Sequence, residues 1–196
     1  MYTWGYIKNA TLAKLDMSEN DANRQGLIGR FSFYANEAIT QISSTVKPKH
    51  TFFEVNVTED NVNTLITMPE DFIAFGDDVN YIVEIDPLVN KSIRRRAYDD
   101  DFEYVGYNQI LCNKVGKYII SYDAIWIFFN NQADNLTLEV PADILNCLPS
   151  YIASECLKID DENKATILRN EYEVFLSRVN DTNYKNTKNF RIEGDW

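Results

Sequence analysis

The sequence predicts an α+β fold: N-terminal and C-terminal helices forming a helical bundle, a small antiparallel β insertion between them, and an extended C-terminal arm. Three observations carry that expectation. Apolar residues recur at helical spacing as far as about residue 43 and again beyond residue 141. Between these stretches the period falls to about 2, and turn residues separate short runs. After Asn180 the periodicity stops. The chain therefore divides into a helical part (1–50 and 141–180), a β-rich insertion (51–140) and an arm (181–196).

Taken in order, residues 3–17 predict a short helix. Trp4, Ile7, Leu12 and Leu15 keep roughly helical spacing, although Gly5 weakens the start. Ser18-Glu19-Asn20-Asp21 offers N-capping side chains. A longer helix is expected over about 20–43, with Leu27, Phe31, Tyr34, Ala35, Ala38 and Ile42 on one face, ended by Lys47-Pro48-Lys49. Alternation at Phe53, Val55 and Val57 predicts a first strand, and 64–67 a second, stopped by Pro69. Further strands are expected at 81–85, 117–121, 125–129 and 136–140, with a charged segment at 94–101. Pro141 and Asp143 introduce a helix over 144–158 that Pro149 breaks or restarts. Asp160-Asp161-Glu162 favours one more helix start, and Ala165, Leu168, Tyr172, Phe175 and Val179 align along 161–180.

The charge balance narrows the function. The 196 residues carry 19 Lys and Arg against 30 Asp and Glu, a net charge of −11. Between Lys49 and Lys91 stand nine acids, from Glu54 to Asp86, and no base. That argues against neutralisation of nucleic-acid phosphates and against attachment to an anionic membrane. At 45% hydrophobic and 13% aromatic the chain can build a core. No apolar run reaches the ~18 residues of a membrane span. Met1-Tyr2-Thr3-Trp4 does not start a signal-peptide pattern, so synthesis in cytosol is expected and the sequons at Asn9, Asn56, Asn135 and Asn180 carry no meaning. Cys112, Cys147 and Cys156 form no CxxC and are expected to be reduced, buried thiols.

The search for reactive chemistry yields little. His50 stands alone, without a second His or a Cys nearby to share a zinc ion. Phosphate-cradling, nucleophile-elbow, zinc-protease and calcium-loop patterns are absent. The pairs Asp77-Asp78, Asp99 to Asp101 and Asp160-Asp161 are adjacent acids, which a strand turns to opposite faces, so turn and capping roles fit them better than acid–base work. No enzyme activity, cofactor or metal is expected. Two stretches look suited to contacts instead. Arg94-Arg95-Arg96 beside Asp99-Asp100-Asp101 is either a solvated loop or a subunit contact in which one copy's basic patch meets its neighbour's acidic patch. Tyr98, Phe102, Tyr104 and Tyr107 would suit such an interface, or half of them face the sheet core. The arm is either a frayed end or a partner-binding segment anchored by Phe190, Ile192 and Trp196, with Arg191 among them.

The run Ile66-Thr67-Met68-Pro69-Glu70-Asp71-Phe72 is similar to the "hydrophobic, x, x, Pro, x, Asp, Phe" signature of head-to-tail adaptor proteins of short-tailed bacteriophages. Gly116–Tyr122 then resembles a later strand of that family. Leu148-Pro149-Ser150-Tyr151-Ile152-Ala153-Ser154, through Asp160-Asp161 to Asn170-Glu171-Tyr172, resembles its last helix pair. The resemblance spans about residues 3–180, and it rests on the order of the elements. It implies a virion protein at the head–tail junction, made in the bacterial host cytoplasm: a ring of twelve copies beneath the portal protein, with helices around a central channel. In that family the C-terminal arm reaches the portal, the β part meets the tail or nozzle protein, and double-stranded DNA passes without specific binding. The β region of about 90 residues is large for the pattern. By this analogy 181–196 is the portal-binding arm, and Asp77, Asp78, Glu84 and Asp86 are acids facing the channel, a tail partner or only solvent. Competing readings are another phage neck or tail-completion protein of the same helix–β–helix order, and a soluble adaptor that binds one partner through its tail. A lysis or DNA-processing enzyme has the least support.

Overall fold

The computed structural model describes residues 2–86, 91–97, 101–130 and 133–186, with the backbone alone along 77–86, 91–96 and 180–186. It is a mixed helix and sheet protein in which helices flank antiparallel strands along the chain. Two compact units form: Met1–Lys47 with Trp126–Trp196, and Pro48–Ile125.

The first unit is helical. Helix α1 (Trp4–Leu15) begins where Thr3 Oγ1 accepts the Tyr6 N–H at 3.2 Å and ends at Asp16 in the left-handed region (φ 57°). Ser18 caps α2 (Glu19–Arg24) in the same way, through the Asp21 N–H. The single helix expected over 20–43 is in fact two. Gly26 takes φ +67°, a left-handed turn that closes α2 before α3 (Ile28–Thr45) begins. The C-terminal half supplies α4 (Ala142–Leu145), α5 (Leu148–Leu157) and α6 (Glu162–Asn186). Pro149 occupies the first turn of α5, where its missing N–H costs nothing, so it restarts a helix and does not kink one. Helix α6 continues through Asn186, past Asn180 where the arm was expected to begin.

Helix α5 is almost wholly buried and packs on α1, α3 and α6. Lys14–Glu171 (2.7 Å) and Asp16–Lys164 (2.6 Å) tie α1 to α6, and Lys47–Asp143 (2.8 Å) ties the end of α3 to α4. Residues 126–140 join this unit and form no strand at 125–129 or 136–140, apart from an isolated bridge between Thr3 and Thr137. The reason is that helix α3 supplies the partners a neighbouring strand would have supplied. The Asn36 side chain accepts the Phe129 N–H at 2.6 Å and donates to the Phe129 carbonyl at 3.4 Å. Ser43 Oγ accepts the Trp126 N–H, and the Trp126 indole donates to the Lys47 carbonyl at 2.7 Å. The run 126–129 thus anchors its backbone on a helix at Trp126 and Phe129, while Phe129 is buried against Trp4.

The second unit holds two antiparallel sheets. One runs in the order β1 (Lys49–Val57), β7 (Gly116–Ala124), β3 (Phe72–Asp86), β4 (Lys91–Arg96). The other runs β2 (Leu65–Thr67), β6 (Gln109–Cys112), β5 (Phe102–Val105). They share one core: Val55, Val57, Tyr118, Ile120 and Tyr122 from the larger sheet meet Ile110 and Cys112 from the smaller. Strand β3 is much longer than the expected 81–85. It carries an irregularity where Gly76–Val79 falls between the pairs Phe75–Tyr122 and Asn80–Ile120. A side chain at Gly76 would press on Ser121 Oγ at 2.9 Å, so the strand crosses β7 closely there.

Candidate functional site

A cleft of about 370 Å³ lies in the helical unit, between the C-terminal half of α5 and the N-terminal half of α6. Ser154, Glu155 and Lys158 line it from α5 and its C-terminal end, and Glu162, Ala165, Thr166 and Arg169 from α6. Arg169 organises it. Its guanidinium carbon lies 4.8 Å from the Tyr151 ring centre and 5.2 Å from that of Tyr172, and the two rings meet edge to face at 5.0 Å. Nε donates to Glu173 at 3.2 Å, and Glu155 lies 3.5 Å away and also pairs with Lys158 at 3.1 Å. The fully buried Tyr172 hydroxyl donates to Gln41 Oε1 at 3.2 Å. Burial raises the pKa of Tyr172, and it raises that of Tyr151 against a partial offset from Arg169, so both rings stay neutral. Chemically this is a clamp between two helices, with each cation already matched to a carboxylate.

The thiols are insulated. Burial pushes Cys112 up to about 11 and Cys156 up to about 11, and with Asp143 nearby it pushes Cys147 up to about 12. All three are free cysteines. Among the described residues, no group of three His, Cys, Asp or Glu side chains comes together as metal ligands. Nor is any helix among them long and apolar enough to cross a membrane.

The residues singled out for contacts fall differently. Arg94, Arg95 and Arg96 lie in strand β4, not in a loop, with Cα partners Val83, Ile82 and Tyr81 on β3. Their side chains lie outside the described residues. Asp77, Asp78, Glu84 and Asp86 all belong to β3, the first two within its irregular stretch, and their side chains are likewise outside the description. Asp99, Asp100 and Tyr98 lie outside the described residues, as do Phe190, Arg191, Ile192 and Trp196. Asp101 is committed inside its own unit. It is only 1% exposed, its carboxylate receives Lys114 Nζ at 2.5 Å, and its carbonyl accepts the Asn113 N–H. A side chain so enclosed does not present a charge to a neighbouring copy. Of the nearby aromatics, Tyr104 meets Phe75 on one side and Phe102 on the other yet stays part-exposed, Phe102 packs against the core, and Tyr107 is exposed beside Gly106 in the β5–β6 turn. The 149–172 stretch was read for its order of elements, and the clamp went unseen in it. Its signal was the spacing of Arg169, Tyr172 and Glu173, at i, i+3 and i+4 on one helix.

No protein-family model matches the chain, and no curated protein matches it.

Proposed function

We propose that this protein is a structural component of a short-tailed bacteriophage virion, a ring-forming head-to-tail connector that docks below the portal and joins it to the tail. The observation that carries the reading is the organisation of the chain. Along the sequence a β unit, Pro48–Ile125, interrupts a helical unit built from both halves of the chain, and the 25-residue helix α6 precedes the last ten residues. In this reading α1, α3, α5 and α6 form the helical bundle beside the channel. The arm, beginning at residue 187, engages the portal through Phe190, Ile192 and Trp196, with Arg191 among them. The β unit holds 14 acids against 7 bases, a net −7 of the chain's −11, and meets neighbouring copies and the tail or nozzle protein. Like charge along a conduit keeps double-stranded DNA mobile, where a basic wall would hold it. Twelve copies is the stoichiometry the resemblance implies, and the neighbour contact uses the β4 arginines. The test is binding of purified portal by the full chain and by a chain ending at Asn186. The truncated chain is expected to fold and to lose portal binding. Equal binding by both would remove the arm from the proposal. Binding by neither would favour another neck or tail-completion protein of the same order, or a soluble adaptor with a different partner.

A further inference from the structure

The larger sheet ends on β1, and β1 has backbone groups left over. The Ile125 N–H donates to the Asp71 carbonyl on the β3 side, at 2.8 Å. Because a strand alternates the direction of its N–H and C=O groups, Ala124, Tyr122 and Ile120 turn theirs toward β1. Their partners on β1 are Lys49, Thr51 and Phe53. His50, Phe52 and Glu54 therefore turn their N–H and C=O groups away from the sheet. The next residue in that series agrees, since the Asn56 carbonyl is taken by Asn61 Nδ2 at 3.3 Å. The same three residues have exposed side chains, and Phe52 is 62% exposed.

We propose that β1 pairs with β1 of a second copy of this chain, antiparallel about a two-fold axis at Phe52. The register is self-complementary. Phe52 stands opposite Phe52 of the second copy, and His50 stands opposite Glu54 of it, once on each side of the axis. Aromatic pairs and opposite charges are the favourable directly opposed neighbours in an antiparallel ladder. Within one copy Asp123 Oδ1 meets His50 Nδ1 at 2.5 Å and Lys117 Nζ meets Glu54 Oε2 at 2.7 Å, which leaves His50 Nε2 and Glu54 Oε1 to face each other across the axis. The three opposed pairs form roughly six main-chain hydrogen bonds. The two sheets become one of eight strands, and the edge is consumed, so the contact closes at two copies. This goes beyond the connector reading and does not rest on it.

Sedimentation and cysteine cross-linking of the full chain test the pairing. At about 100 µM, above the Kd expected of a small interface, the unsubstituted protein is expected at twice its 22.7 kDa mass. Phe52→Lys changes an exposed side chain, keeps the far-ultraviolet spectrum, and is expected to halve the mass. Glu54→Pro removes an outward N–H and the exposed Lys117–Glu54 ion pair, keeps the main-chain bonds to β7, and is expected to do the same, with Glu54→Gln, which loses the ion pair but keeps the N–H, as its control. In a Cys156→Ser background, Phe52→Cys is expected to give a disulfide-linked pair, since hydrogen-bonded opposed Cα atoms lie about 5.5 Å apart. A single-copy mass for the unsubstituted chain overturns the proposal, as does a dimer indifferent to both Phe52→Lys and Glu54→Pro. Higher multiples with no linked pair at position 52 mean that β1 meets a different edge, such as β4 of the next copy, and overturn it too. Portal binding is read on the unsubstituted chain and the chain ending at Asn186, so failure of one proposal leaves the other standing.

Discussion

Replacing Ser150 by Ala is expected to stabilise the helical unit. Ser150 lies in the first turn of α5, is fully buried, and its Oγ is the one buried side-chain polar atom without a hydrogen-bond partner among the described residues. An unpaired buried hydroxyl costs about 1–3 kcal/mol. Alanine retains the Cβ, leaves only a small void, and adds about 0.5 kcal/mol of helix propensity. The net gain is about 1–2 kcal/mol, or roughly 3–6 °C in Tm for a chain of this size. Ser43→Ala is the control of opposite sign. Ser43 is equally buried, but its Oγ donates to the Ile39 carbonyl at 2.6 Å and accepts the Trp126 N–H at 3.3 Å. Alanine there strands the Trp126 N–H and should cost about 1–2 kcal/mol. Urea unfolding followed by tryptophan fluorescence reads the relevant unit, because Trp4 and Trp126 belong to it and no tryptophan stands within Pro48–Ile125. The expected result is a higher midpoint for Ser150→Ala and a lower one for Ser43→Ala, both with unchanged slope. A lower midpoint for Ser150→Ala would refute the reasoning and show that an ordered water satisfies the hydroxyl.

Arg169→Ala should destabilise the helical unit by about 1–2 kcal/mol, through lost stacking on Tyr151 and Tyr172 more than through its partly exposed ion pairs; an unchanged urea midpoint would show the clamp to be idle. Asn36→Leu removes both partners of the Phe129 backbone at once and should cost about 2 kcal/mol, read as a lower thermal midpoint. Alkali should unfold the protein. Burial raises Cys112 from 9.0 to about 11, and burial with the Asp71 hydrogen bond raises Tyr122 from 10.0 to about 12. The unfolded chain then loses protons first, so the stability these groups contribute is complete below about pH 9 and falls as pH rises toward 11–12. A urea midpoint that stays level between pH 8 and about pH 11 would contradict that burial. In the proposed connector, charge reversal of Arg94, Arg95 and Arg96 to Glu should weaken ring assembly on purified portal with a salt-sensitive defect in light scattering, and portal-bound rings unaffected by the change would remove β4 from the subunit contact.

The helices were legible because burial on one side of a helix writes a period into the sequence, and capping residues such as Thr3 and Ser18 mark the starts. What failed was local. Gly26 could be tolerated in a helix or could end one, and the choice depends on Leu27 being drawn into the core, where its N–H bonds the Ala22 carbonyl. The apolar run 125–129 has strand composition, but composition cannot say whether backbone partners come from a strand or from Asn36 and Ser43 some 80 to 90 residues earlier. The Arg169 clamp was legible only in its half on α6, the spacing of Arg169, Tyr172 and Glu173. Its aromatic partner Tyr151 and its acid Glu155 lie on a different helix, and only packing makes neighbours of them.

The β4 misreading bears on assembly. A run of Arg-Arg-Arg looked like a loop because charge is taken to exclude strands, yet charge excludes only central ones. An edge strand is where like charges are useful, since they repel a second copy of the same edge. Strand β4 carries four cations in six residues at one border of the four-stranded sheet. The opposite border, β1, balances Lys49 against Glu54 and sets an exposed Phe52 between His50 and Glu54. The two edges of one sheet are therefore treated unequally: one is guarded against self-pairing by net charge, and the other is close to neutral, open along His50–Glu54 and complementary to itself. A sheet selected only to stay monomeric would have both edges guarded, so the asymmetry itself argues that β1 is kept available for a strand.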